Sequence, residues 1–510
     1  MTAARRGAGL TLLLACAWLA FTARARPLML PDEGRYIGVA WEMLHSGDWL
    51  TPTLDGLPFF HKPPLFYWIT AASLKVFGLH EGAGRAASIV GACLAACSLF
   101  LFARRWAGEA AARASLWVLV TTPLFFCAAQ YANLDMLVAG CISATVLLFA
   151  HAVLAAERGL PHRAALAAAY FAAALGLLAK GLIGGVLPVM IAVIWLIAMR
   201  RPRALLMLVW PPGLLLFAVV AAPWFIAMQL RFPDFLDYFF VVQHFKRFAE
   251  GGFNNARPFW FYPVVLALLC LPWFAWVFRA GRSAFWRDAE RGPLRWLMLI
   301  WLVVVVGFFS MPKSKLVGYV LPAVPPLAFL IAEGFGPLDW PTLRRRRAWV
   351  VSCGLAAAIC IGAVVTLSVG FDRSNQHLAR ALSARMAAGE PLVFIDEYFY
   401  DVAFYARLTK PTQVVEKWSD PAVAQRDNWR KELFDAGRFD RPAAATTLIT
   451  EAAFLGALCR TPVTWVMAPA GVSERLPVLG AAEAVASSRQ ATLWRIDASS
   501  AAVKAALACR

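Results

Sequence analysis

Apolar residues fill the first 370 positions in long runs. These runs neither alternate as strands do nor leave one polar helical face. A membrane-spanning helix needs about 20 mostly apolar residues, and backbone in lipid must satisfy its own hydrogen bonds. Segments near 8–23, 86–103, 114–130, 136–155, 164–179, 182–199, 204–228, 259–278, 296–310, 319–334 and 349–370 meet this description, some of them short or interrupted by proline. The pattern predicts about eleven spans. Past Gly370 the period changes. "PLVFI" (391–395), "TQVVE" (412–416), "TTLIT" (446–450), "TWVMA" (464–468) and "ATLWRI" (491–496) have strand length, with helical stretches at 376–388 and 398–408. This alternation predicts a small α/β unit. The expected architecture is an α-helical polytopic membrane domain over 1–370, followed by an extracytoplasmic α/β domain over 371–510.

Composition agrees with the pattern. The 510 residues are 60% hydrophobic and 16% charged, with a mean hydropathy of +0.62. A soluble fold of this length could not hide so much apolar surface. A net charge of +18 would suit a polyanion partner, but its distribution argues otherwise. Arg5 and Arg6, Arg104, Arg105 and Arg113, Arg158 and Arg163, Arg200, Arg201 and Arg203, Arg279 to Arg295, and Arg344 to Arg347 fall in alternate connections. This asymmetry marks cytoplasmic loops. It places the N-terminus inside and the intervening loops outside, and it excludes nucleic acid as partner. The start, "MTAARRGAGLTLLLACAWLAFTARA", has the layout of a cleavable signal; the spans that follow favour an uncleaved first helix. Of ten cysteines, eight lie in apolar runs as small hydrophobes. Cys459 and Cys509 fall in the outward region, where a disulfide can form.

The outward loops carry the chemistry. Loop 24–85 is far longer than a connection requires. Within it, Tyr36, Val39, Ala40, Met43 and Leu44 recur at helical spacing before Gly47, so it is expected to hold interfacial helices. Loop 229–258, "MPKSKLVGY" (311–319), "YANLD" (131–135) and "AKG" (179–181) map to the same side. Together they offer acids (Asp32, Glu33, Asp135), cations (Arg35, Lys62, Lys180, Lys246, Arg247, Arg257, Lys313, Lys315), His61 and His244, and Tyr36, Tyr131 and Tyr319. Ionisable groups at membrane depth are costly and serve a cavity or a partner. Cations there suit a phosphate, and acids suit sugar hydroxyls, a proton or a metal. Arg24, Arg26, Lys75 and Arg231 read instead as headgroup contacts.

"PDEGRY", "SGDWLTP", "FFHKPPLFYW", "YANLD", "AKG", "PDFLDYFFVVQHFKRFA", "RPFWFYPVVL" and "FFSMPKSKLVGYVLP" occur in order over residues 8–335. In this order they resemble the aminoarabinose transferase branch of the glycosyltransferase-C superfamily, with protein O-mannosyltransferases as more distant relatives. The resemblance implies an inner-membrane enzyme with periplasmic loops. Such an enzyme moves a sugar from an undecaprenyl-phosphate-linked donor to lipid A or a related envelope glycan. By the same resemblance Asp32, Asp135 and Lys62 are catalytic, and Lys62, Arg247, Arg257 and Tyr319 hold the donor phosphate. Arg35, Tyr36, Lys180 and His244 hold sugar or acceptor. Two departures stand out: His61 replaces the usual glutamate before Lys62, and "KLVGY" replaces "KLPTY".

These residue types suit a lipid-phosphate donor. Its phosphate gains charge as the anomeric bond breaks, and fixed cations aimed there stabilise the transition state by about 3 kcal/mol each. A phosphate leaves without the protonation that ordinary glycosidases supply. The expected reaction is inverting. A hydroxyl acceptor would require a general base, for which Asp32 is the candidate; a phosphate acceptor would not. His61 and His244 with an aspartate are candidate ligands of a divalent cation. The alternatives are a protein hydroxyl acceptor with the same donor class, a transporter or flippase, and a non-catalytic assembly protein. Transporters tend to show duplicated halves and midplane charge, and neither is evident here.

Overall fold

The computed structural model of the chain describes residues 2–246, 255–336, 343–370 and 374–507, with side chains from residue 7 onward and none for 244–246. Helices dominate to Gly370. Seven are long and apolar enough to cross a membrane, or up to nine if each of two bent pairs is one span. The pairs are Glu109–Thr121 with Pro123–Ala129, bent by 67°, and Phe261–Leu269 with Trp273–Gly281, bent by 116°. Each break coincides with a proline, Pro123 or Pro272, which lacks the N–H a continuing helix would use. The helices Thr2–Ala20 and Ile183–Ala198 complete the expected segments, although their apolar lengths are shorter. The chain is thus a multi-pass membrane protein.

The helices Ala86–Trp106 and Leu134–Glu157 approach closely because glycines line their contact. A Cβ on Gly91 would stand 2.5 Å from Leu137 Cα. Small residues allow backbones to meet where lipid gives no hydrophobic drive to helix association. This packing holds the N-terminal ends of both helices, beside loop 24–85 and residues 131–135.

Loop 24–85 folds as a compact unit. Helix Asp32–Ser46 buries Tyr36, Val39, Ala40 and Met43 and stops at Gly47, whose φ of +76° closes it. A hairpin pairs β1 (Thr53–Leu54) with β2 (Leu57–Pro58), turning through Asp55 and Gly56, both with positive φ. Helix Leu65–Phe77 follows. A fully buried carboxylate pins this unit to the membrane helices. Glu33 meets Arg26 at 2.6 Å and Arg85 at 2.7 Å, and accepts from the backbone N–H of Met29 and Ala132 at 2.8 Å each. Burial alone would raise its pKa, but Arg85 and Arg26 outweigh that and hold it at about 2. Arg26 is therefore an internal partner of Glu33 and not the headgroup contact its position suggested. Glu33 is likewise a structural group and not part of the outward chemistry. Arg231 pairs with Asp48 at 2.9 Å.

After helix Leu343–Gly370 the chain builds a six-stranded sheet in the order β5-β4-β3-β6-β8-β7. Its strands are β3 (Leu392–Ile395), β4 (Gln413–Val415), β5 (Leu448–Ile449), β6 (Val463–Pro469), β7 (Glu483–Ser487) and β8 (Ala491–Asp497). β3 to β6 are parallel, whereas β8 and β7 complete an antiparallel edge. Cys459 is disulfide-bonded; Cys509 lies outside the described residues.

This α/β region is docked on loop 24–85. Trp41 Nε1 donates to Leu408 O at 2.7 Å, and Tyr405 OH accepts from Leu28 N–H at 2.9 Å. Asp55 accepts from Thr412 N–H at 2.8 Å. Phe60 and Phe439 meet edge to face at 4.6 Å. Buried polar contacts that pair fully add specificity to apolar packing, and here they fix the sheet's orientation over the first loop.

Candidate functional site

Between the membrane helices, loop 24–85 and the sheet lies a cavity of about 910 Å³. Asp32, Arg35, Tyr36, His61, Lys62, Asp135, Lys180 and Tyr319 all line it. They come from five stretches of sequence, each positioned by its own local cause. Asp32, Arg35 and Tyr36 occupy the first turn of helix Asp32–Ser46. Lys62 precedes Pro63 and Pro64, whose fixed φ leads into helix Leu65–Phe77. Asp135 opens helix Leu134–Glu157 and is held there by Asn133, whose Oδ1 accepts from Asp135 N–H at 2.9 Å. Lys180 ends helix Arg163–Lys180.

The charges are organised in pairs. Asp32 accepts from Asn133 Nδ2 at 3.1 Å and from Tyr131 OH at 3.3 Å, and Arg35 lies 3.6 Å away. Asp135 forms an ion pair with Lys180, whose ammonium also sits 4.4 Å above the Tyr319 ring. Gly318 makes room for that pair: a Cβ there would stand 2.9 Å from Asp135 Cγ. Arg35 reaches Glu432 at 3.1 Å and lies over the Tyr400 ring at 5.2 Å. Burial works against the Arg35 charge, but Glu432 and further anionic neighbours outweigh it, and its pKa is raised well above normal. Burial first, then Asp32, pushes the Tyr36 hydroxyl far up, so it remains a hydrogen-bond donor. Glu432, raised mainly by burial, accepts from Tyr400 OH at 2.5 Å.

Other expected residues fall elsewhere. Arg257 is exposed and outside the cavity lining; its N–H donates to Lys313 O at 3.0 Å, and its guanidinium lies 6.0 Å from the Phe261 ring. His244 belongs to helix Asp237–Lys246, but its side chain, like all of Arg247, lies outside the described residues. His61 is buried beside Phe59, with ring centroids 4.5 Å apart. Among the described residues no group of three His, Cys, Asp or Glu side chains gathers as a metal ion requires. The expected set of His61, His244 and an aspartate includes a side chain, that of His244, outside the described residues, and the mechanism proposed below uses no metal ion.

The sequence reading missed the far wall. Glu397, Tyr398, Phe399 and Tyr400 follow β3, while Asp427, Asn428 and Glu432 follow β4. A signal was present: "DEYFYD" stands directly after the apolar strand "PLVFI", at the carboxyl end where parallel α/β sheets take ligands.

The family described as dolichyl-phosphate-mannose-protein mannosyltransferase matches residues 61–226. The undecaprenyl phosphate-alpha-4-amino-4-deoxy-L-arabinose arabinosyl transferase of Aeromonas salmonicida is 34% identical over 72% of this chain and 68% of its own length. Its namesake in Pseudomonas aeruginosa is 34% identical over 60% of this chain and 55% of its own. Among solved structures, ArnT from Cupriavidus metallidurans bound to undecaprenyl phosphate superposes with a TM-score of 0.82 at 22% identity, covering 96% of this chain and 98% of that one. The apo oligosaccharyltransferase of Archaeoglobus fulgidus gives 0.53 at 13% identity, over 91% and 70%. The first structural likeness takes in the C-terminal sheet as well as the helices.

Proposed function

We infer the reaction from kinship: the chain belongs to the family of undecaprenyl phosphate-alpha-4-amino-4-deoxy-L-arabinose arabinosyl transferases. It is a glycosyltransferase of glycosyltransferase-C fold. The reaction we propose moves 4-amino-4-deoxy-L-arabinose from undecaprenyl phosphate to lipid A. It takes place at the periplasmic face of the inner membrane, with the N-terminus in the cytoplasm. A catalytic membrane domain over 1–370 and an extracytoplasmic domain over 371–510 divide the work. The observation that carries this reading is the shared cavity, in which Asp32, Lys62, Asp135, Lys180 and Tyr319 face one space.

The donor's lipid tail keeps its phosphate at membrane depth. An acceptor oxygen attacks the anomeric carbon, and the bond from that carbon to the phosphate oxygen breaks. Its electron pair stays with the departing undecaprenyl phosphate. Lys62 is assigned to the charge that gathers there, since fixed cations act strongly in a water-poor site. Tyr319 shares this wall, and its ring steadies the Lys180 ammonium. A lipid A phosphate is already ionised as nucleophile, so proton removal is not required. Asp32, anchored by three neighbours, then orients sugar hydroxyls beside Arg35 and Tyr36, and attack from the opposite face inverts the anomeric centre. Arg247 and His244 keep their expected roles on the phosphate and acceptor.

The test is transfer by the purified, reconstituted protein. Given undecaprenyl-phosphate aminoarabinose and lipid A, it should yield lipid A carrying one more aminopentose by mass spectrometry. Unchanged lipid A, with donor intact, would contradict the reaction.

A further inference from the structure

The sheet meets the cavity at a particular place. Strands β3, β4 and β5 step in one direction, and β6 returns to the opposite side of β3. Loops leaving β3 and β6 therefore part at their carboxyl ends, and in open α/β sheets ligands bind in the crevice at this switch point. Here the crevice opens onto the membrane cavity. Its lining includes Glu397 after β3, Pro469 at the end of β6, and Gln490 before β8. Asn428, at the start of helix Trp429–Gly437, adds a polar group to the same wall.

Glu397 differs from three other acids of the cavity, Asp32, Asp135 and Glu432. Asp32 and Glu432 share Arg35, and Asp135 has Lys180. Among the described residues, Glu397 forms no ion pair. The cation nearest in influence is Arg430, already paired with Glu416 at 2.7 Å. Half-buried, the carboxyl is pushed upward chiefly by that burial. A wall that carries an uncompensated carboxylate favours a cationic ligand group.

The donor proposed above contains one such group, the amine at sugar position 4, whereas lipid A phosphates and the donor phosphate are anionic. We propose that Glu397 is a specificity-determining residue that takes the protonated 4-amino group of the donor sugar, with the sheet's switch-point crevice as its pocket. This rests on the reaction proposed above. It assigns the phosphate end of the donor to the membrane helices and loop 24–85, and the amine end to the α/β region.

The experiment compares two donors, undecaprenyl-phosphate 4-amino-4-deoxy-arabinose and undecaprenyl-phosphate arabinose with a 4-hydroxyl, using full-length reconstituted protein. Glu397→Gln should lower kcat/KM for the amino donor by about tenfold or more, the scale of a charge-assisted pair, while changing the hydroxyl donor less than about twofold by the same reasoning. Glu397→Asp should retain part of the preference. Equal loss on both donors would assign Glu397 to folding or chemistry and overturn the proposal, as would no loss on either. Failure of the wild type on both donors would sink the reaction itself, and this inference with it.

Discussion

Arg35 and Glu432 are 3.1 Å apart, although one lies in the first loop and the other in the α/β region beyond the last membrane helix. The same guanidinium lies 3.6 Å from Asp32. The bridge therefore ties Asp32, the carboxylate proposed to orient the sugar, to the α/β region.

Cutting that bridge should be costly from either end. Arg35→Ala leaves Glu432 buried without its cation, a change worth about 3 kcal/mol or more, and should lower the melting temperature measurably. Glu432→Gln keeps the shape but frees Arg35 to draw on Asp32. Transfer should fall about tenfold, as it does when a positioned group is slightly misplaced, with a smaller loss of stability. In a double-mutant cycle, additive effects of the two changes would refute the coupling.

Lys62→Ala and Asp32→Asn should each abolish detectable transfer, with losses on the order of a hundredfold or more for one electrostatic partner. Both side chains border the cavity and neither is fully buried, so the elution profile in detergent should remain that of wild type. Normal turnover by either variant would remove that residue from the mechanism.

Gly318→Ala tests the Asp135–Lys180 pair indirectly. The added methyl would press on the Asp135 carboxylate, and overpacking of this kind costs about 1–3 kcal/mol. Activity should drop about tenfold for a shift of this size. Asp135→Asn in the Gly318→Ala background should add little further loss if both act through the same carboxylate.

Stability should fall as pH rises. Burial foremost, with Glu42 adding to it, pushes Asp55 from its ordinary 3.8 up to about 8 despite hydrogen bonds from Thr412. A carboxyl whose folded pKa lies above its unfolded value binds its proton more tightly when folded. Its contribution is thus complete below about pH 4 and is lost as pH climbs towards about 8. Glu42 shifts in the same direction, mainly through burial. Melting curves between pH 5 and 8 (about the range a detergent-solubilised protein tolerates) should decline for wild type and flatten for Asp55→Asn. A wild-type curve that rises across this window would reverse the assignment.

The membrane segments were legible in the sequence because lipid imposes one rule on every spanning residue. The gathering of Asp32, Lys62, Asp135 and Tyr319 was legible through motifs that remain in order along the chain. Glu33 misled, since nothing local reveals that Arg85, far along the chain, neutralises it. Arg26 misled although its partner Glu33 stands only seven residues on, because Glu33 itself reads as one of the outward acids. Glu432 and Glu397 escaped because their meaning depends on how a sheet docks against a distant loop. Strand patterns predict that a sheet exists but not which rim faces what.

That rim has a consequence for how such chains diverge. Exchanging the soluble portion between two relatives would not swap an ornament on a finished catalyst, because the graft brings with it one side of the substrate chamber. Drift in sugar preference would then accumulate in the turns that leave the strands, while the lipid-embedded half keeps its proposed hold on the carrier unaltered.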